Sequence, residues 1–110
     1  MTIAEALAGF TDRMEKNPEH IKDLSYVYEF HITDEKNGVY QLHIDEGKAA
    51  YYEKAVEEPK LVMKMDKTHF LKLAHDDLNA AMAYMSGRLK IDGEISHALK
   101  FQSLIKKYQV

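Results

Sequence analysis

The sequence predicts an α+β fold, on three observations. Helical and strand periods come in blocks: a helix, four strands, two short helices, a strand and a last helix, rather than strict alternation. Turn chemistry separates the blocks, at Asn17-Pro18, Asn37-Gly38, Glu46-Gly47-Lys48 and Glu57-Glu58-Pro59. Finally, the stretch from Tyr84 to Gly93 combines a helix stop at Gly87, a period-2 run in Arg88-Leu89-Lys90-Ile91, and a new helix start after Gly93.

The first element is a helix. Thr2-Ile3-Ala4-Glu5 has the form of a capping box, and Ile3, Ala6, Leu7, Phe10 and Met14 follow on one narrow face. Asn17-Pro18 ends it, since the residue before a proline is pushed out of the α region, and Glu19 to Leu24 has room for one more turn. From Tyr26 to Thr33 the period changes to two, with Tyr26, Tyr28, Phe30 and Ile32 on one face and Val27, Glu29, His31 and Thr33 on the other. A second alternating run, Val39 to Asp45, completes an antiparallel hairpin around Asn37-Gly38. Pairing Phe30 with Ile44 or with Leu42 keeps the large apolar residues together, and both registers put Glu29, His31 and His43 on the polar face.

A third strand is expected over Ala49 to Val56 and a fourth through Leu61, Met63 and Met65. Asp66 or Thr68 can cap a helix whose buried side is Phe70, Leu71, Leu73 and Ala74. After the polar break His75-Asp76-Asp77, Leu78 to Met85 is again helical. The last helix is expected from about Glu94 to Tyr108, with carboxylates at its start and Lys106 and Lys107 at its end. Its apolar residues Ile95, Ala98, Leu99, Phe101, Leu104, Ile105 and Tyr108 cover more than the stripe of about 100° that one core face needs, so two apolar surroundings are expected.

Composition narrows the function. At 110 residues, one domain over 1–110 is expected, with no internal repeat or linker. The absence of cysteine excludes disulfides, thiolate nucleophiles and zinc-thiolate sites. A net charge of −3 with both signs interspersed argues against nucleic acid as a partner. The N-terminus lacks signal-peptide character, and no apolar run approaches the roughly 18 residues of a membrane span, so a cytoplasmic protein is expected. The serines sit in no nucleophile elbow, and there is no glycine-rich phosphate loop. Glu29, His31 and His43 share a strand face, where solvated histidines are common, and His69 and His75 are too far apart on a helix to share an ion, so no metal is expected. Arg88, Lys90, Lys100, Lys106 and Lys107 form a late basic cluster, read either as a solvated face or as a docking patch for an anionic membrane or a ligand carboxylate.

Ala83-Tyr84-Met85-Ser86-Gly87-Arg88-Leu89-Lys90-Ile91-Asp92-Gly93, followed by Ala98-Leu99-Lys100 and Leu104-Ile105, resembles the signature of the sterol carrier protein 2 family. The likeness extends back through Met65-Asp66, His69-Phe70-Leu71-Lys72-Leu73 and the hairpin from Tyr28 to Ile44. His69 departs from the acid usual before the helix phenylalanine, and His75-Asp76-Asp77 replaces a glycine-bearing turn, which bears on the geometry between the two short helices. The resemblance implies a five-stranded, mostly antiparallel sheet with helices over one face, enclosing an apolar tunnel for a lipid, sterol or fatty acyl chain. It also implies a non-enzymatic role without cofactor, in binding, transferring or presenting that lipid, sometimes to a lipid-metabolising enzyme. The lining expected on that basis is Phe30, Leu42, Met63, Met65, Phe70, Met82, Met85, Phe101 and Leu104. The alternative is an interaction module, a homodimer or partner-binding domain, whose cavity is filled by its own methionines and tyrosines. Transient membrane contact is compatible with the first reading.

Overall fold

The computed structural model describes residues 1–109; Val110 lies outside the described residues. The chain opens with α1 (Ile3–Lys16), where Thr2 and Glu5 form the expected capping box. A 3-10 turn, Pro18–His20, leads to β1 (Ser25–Ile32), β2 (Val39–Asp45), β3 (Lys48–Tyr52) and β4 (Leu61–Met65). Then come α2 (Lys67–Ala74), α3 (Ala80–Met85), β5 (Lys90–Asp92) and α4 (Ile95–Lys107). The third strand ends at Tyr52, short of Val56, and the fifth contracts to three residues, with Leu89 buried just before it.

The strands form one sheet in the order β3-β2-β1-β4-β5. Three of the four pairings are antiparallel, and β1 with β4 is parallel. The hairpin parity is as expected but its offset is not: Phe30 faces Tyr40, and Leu42 and Ile44 face Tyr28 and Tyr26. The way the six-residue connection, 33–38, closes is the reason. Asn37 takes φ +56°, and Gly38 accepts from the Ile32 N–H at 2.6 Å, so pairing resumes at once with His31 opposite Val39. A shift of two residues leaves every side chain on its face.

The inner face of the sheet carries Tyr28, Phe30, Ile32, Leu42, Ile44, Leu61, Met63 and Met65, all buried in one core with residues of the four helices. On the outer face the connection from β3 to β4 is held chiefly by the Gln41 side chain, beside a backbone bond from the Lys60 N–H to the Val27 carbonyl at 2.8 Å. Gln41 is completely buried; its Oε1 accepts from the N–H groups of Val56 (3.0 Å) and Glu57 (3.2 Å), and its Nε2 donates to the Glu57 carbonyl (2.8 Å) and to Glu29 Oε1 (2.7 Å). That amide performs the pairing a neighbouring strand would otherwise supply.

The helices are pinned at their ends. Asp66 caps α2 through the His69 N–H, and Asn79 caps α3 through the Met82 N–H. Gln102 on α4 holds the start of α3, accepting from Ala80 N–H and donating to the Leu78 carbonyl, each at 2.9 Å. At the C-terminal end, Arg13 donates to the Tyr108 carbonyl (2.6 Å) and the Tyr108 hydroxyl donates to the Asn17 carbonyl (2.6 Å), tying α4 to the end of α1.

Candidate functional site

The inner face of the sheet and the helices above it meet in an aromatic column. Period-2 alternation turns Tyr28 and Phe30 inward from β1, and helical spacing brings Phe70 and Phe101 down from α2 and α4. Phe30 meets Phe70 edge-on with ring centres 5.2 Å apart and Phe101 at 5.3 Å. Phe101 lies 4.9 Å from Tyr28, and Tyr28 stacks on Tyr26 at 5.3 Å. Burial raises the Tyr28 hydroxyl above its ordinary pKa, with a smaller push from Tyr26. The column is an apolar surface with a phenolic end.

Of the nine residues expected to line an interior site, seven lie in this core: Phe30, Leu42, Met63, Met65, Phe70, Phe101 and Leu104. Met82 and Met85 do not join them; they are 68 % and 82 % exposed. The reason is the polarity of α3. This short helix turns Ala80 and Ala83 into the core, and residues two places on point away from it. Tyr28 belongs to the column although it was not among the nine, and its shared parity with Phe30 was the available signal. The rings of the column pack against one another.

The wide apolar circumference of α4 is also divided. Ala98, Phe101, Leu104, Ile105 and Tyr108 are buried, whereas Ile95 and Leu99 remain exposed. With Met82, Tyr84 and Met85 of α3, they give the packed α3–α4 pair several uncovered apolar side chains.

The polar outer face is a hydrogen-bonded chain. His31 Nε2 lies 2.6 Å from Glu29 Oε2, Glu29 takes its other bond from Gln41, and His43 Nε2 lies 2.7 Å from Gln41 Oε1. Glu29, His31 and His43 are thus spent on Gln41 and on one another. Among the described residues no group of three or more His, Cys, Asp or Glu side chains could hold a metal ion.

Two grooves open on the surface of the sheet. One, of about 490 Å³, is lined by the start of β1, the end of β2 and the segment Glu57 to Lys60. The other, of about 380 Å³, lies where β4 and β5 meet the two short helices and is lined by Lys64, Met65, His69, Gly87, Arg88 and Lys90, with Thr33 and Asp66. The late basic cluster is therefore split. Arg88 and Lys90 line this groove, Lys100 reaches the Tyr26 hydroxyl at 3.5 Å, and Lys106 and Lys107 stand in the last turn of α4. Lys64 joins the groove from β4, a member that outward parity along Leu61, Met63 and Met65 could have announced. Among the described residues no helix is long and apolar enough to cross a membrane.

The family described as the SCP-2 sterol transfer family matches residues 5–106. Hydroxysteroid dehydrogenase-like protein 2 of Danio rerio is 35% identical over 90 residues, 81% of this chain but 22% of the relative, so the chain spans about a fifth of the length of that curated protein. Among solved structures, the UbiJ-SCP2 ubiquinone synthesis protein superposes with a TM-score of 0.77 at 14% identity, over 96% of this chain and 94% of that one. Sterol carrier protein-2 from Aedes aegypti, determined in complex with palmitate, superposes with a TM-score of 0.70 at 16% identity, over 92% of this chain and 91% of that one.

Proposed function

The chain belongs to the SCP-2 sterol transfer family, and from that premise we propose that residues 1–110 form one lipid-binding unit that takes a long fatty acyl chain into its apolar interior. The observation that carries this reading is the meeting of sheet residues (Phe30, Leu42, Met63, Met65) and helix residues (Phe70, Phe101, Leu104) in a single apolar core between two layers. A chain entering there separates side chains that now touch. Each aromatic pair given up costs about 0.5–1.5 kcal/mol, whereas each buried methylene contributes about 0.8 kcal/mol, so a chain of ordinary length more than offsets the loss. Methionine thioethers at positions 63 and 65 adapt to the new contour. A shift of α3 would bring Met82 and Met85 toward the same chain.

The role is carriage or presentation, without chemistry on the lipid, and the partner class is a lipid-metabolising enzyme, with passing contact at a membrane during loading. Native mass spectrometry of the purified protein is expected to show bound lipid or fatty acid, and a fluorescent fatty acid is expected to be displaced by an unlabelled one. Repeated absence of both would count against this reading.

The exposed Met82, Tyr84, Met85, Ile95 and Leu99 favour a second reading, in which the α3–α4 face is covered by a second copy of the chain. Sedimentation velocity separates the two. A stable dimer that takes up no lipid supports the second, and a lipid-loaded monomer supports the first.

A further inference from the structure

The groove between β4, β5 and the two short helices gathers cations that, among the described residues, no acid pairs with. Lys64 and Lys90 are directly opposed partners across the antiparallel β4–β5 pair, and like charges in that position cost stability on a bare sheet. Arg88 lines the same groove. Among the described residues none of the three takes part in an ion pair. Among the described residues, the only carboxylate on the lining is already engaged: Asp66 Oδ1 accepts from the His69 backbone N–H at 2.8 Å and lies 2.7 Å from its Nδ1. Among the described residues, three cations without an ion-pair partner therefore face one occupied acid.

The groove has an apolar wall as well. Met65 lines it while being 2 % exposed and part of the core that holds Phe30, Phe70 and Phe101. Along β4 the chain passes from Lys64, facing out, to Met65, facing in, so one peptide step separates the cationic rim from the interior. Gly87 leaves the rim uncrowded, since a Cβ there would meet nothing within 4 Å. An unbranched tail carrying a negative head matches this arrangement, and a neutral sterol or alcohol leaves the charges unmatched.

We propose that the Lys64–Arg88–Lys90 groove holds the carboxylate of a long-chain fatty acid whose chain enters the interior past Met65. The proposal rests on the lipid-binding reading above and deepens it by naming a head-group site and an acid as the ligand class. Arg88 offers a planar fork that can meet both carboxylate oxygens, and the two lysines add point charges on the same face, one from each strand.

The test compares binding of palmitate with binding of the alcohol of the same chain length, at low and high salt. Wild type is expected to prefer the acid by roughly ten-fold at low salt, and the preference is expected to shrink as salt screens the exposed cations. The double variant Lys64→Gln/Lys90→Gln is expected to bind acid and alcohol alike, with affinity for the alcohol unchanged. Both positions are exposed and the change removes a repulsion, so its thermal midpoint should equal or exceed that of wild type. Lys106→Gln, outside the groove, is expected to keep the preference. Equal binding of acid and alcohol by wild type, a preference that survives in the double variant, or an equal loss in Lys106→Gln would each overturn the head-group site and leave lipid binding standing. Binding of neither ligand would overturn the lipid-binding reading and this site with it.

Discussion

At Gly93 the backbone takes φ +123°, and a methyl group there would lie 3.2 Å from Leu61 Cδ1 and 3.3 Å from the Lys60 carbonyl oxygen. Both facts demand glycine. Gly93→Ala is expected to cost about 1–3 kcal/mol, read as a lowered urea midpoint with unchanged slope. Asp66 illustrates a different residue-scale device. Its carboxylate is held below the usual aspartate range, chiefly by the His69 backbone N–H, so the folded state favours the charged form. The stability that follows is present above the unfolded pKa and is lost as pH falls through the folded one. Asp66→Ala should therefore lower stability by about 0.5–2 kcal/mol near neutrality, and the gap to wild type should narrow below about pH 4. A gap that stays constant down to low pH would show that the cap does not depend on charge. Thr2-Ile3-Ala4-Glu5 and Asp66 were both legible as caps because capping is local, decided within four residues of sequence.

Elements depend on partners that sequence does not display. The hairpin of β1 and β2 was legible in parity, because alternation alone sorts Phe30 and Leu42 from Glu29 and Gln41, yet its offset was set by the closure of the turn at Gly38. The β3–β4 connection was legible as a break at Glu57-Glu58-Pro59, but nothing in the sequence marks Gln41 as its anchor across the outer face. Gln41→Ala leaves two backbone N–H groups, a carbonyl and the buried Glu29 without that partner, and about 1–3 kcal/mol of destabilisation is expected. Hydrogen exchange gives the decisive readout: the Val56 and Glu57 amides should lose protection far more than the amides of α1. Uniform loss across the protein would mean that Gln41 supports the whole sheet rather than this crossing. For α3, the same reasoning explains Met82 and Met85. A six-residue helix has one buried stripe, and the two alanines occupy it.

At the scale of the molecule, one apolar core joins residues from every helix to the inner face of the sheet, and Phe101 stands at its centre between Tyr28 and Phe30. Phe101→Ala is expected to cost about 3–5 kcal/mol while leaving a cavity on the proposed path of the acyl chain. If lipid occupies that region, added fatty acid should restore part of the lost thermal stability in the variant, and no restoration would place the chain elsewhere. The sequence by itself determined the helix and strand periods, the caps, the turn at Gly87 and the family likeness of Tyr84 to Gly93, because each is a matter of backbone geometry and neighbours a few residues apart. Only the tertiary structure decided the parallel joining of β4 to β1, the service of Gln41 to a distant loop, the exposure of Met82 and Met85, and the opposition of Lys64 and Lys90. Those arise between segments remote in sequence, where burial and charge are properties of the surface that the packed layers leave open.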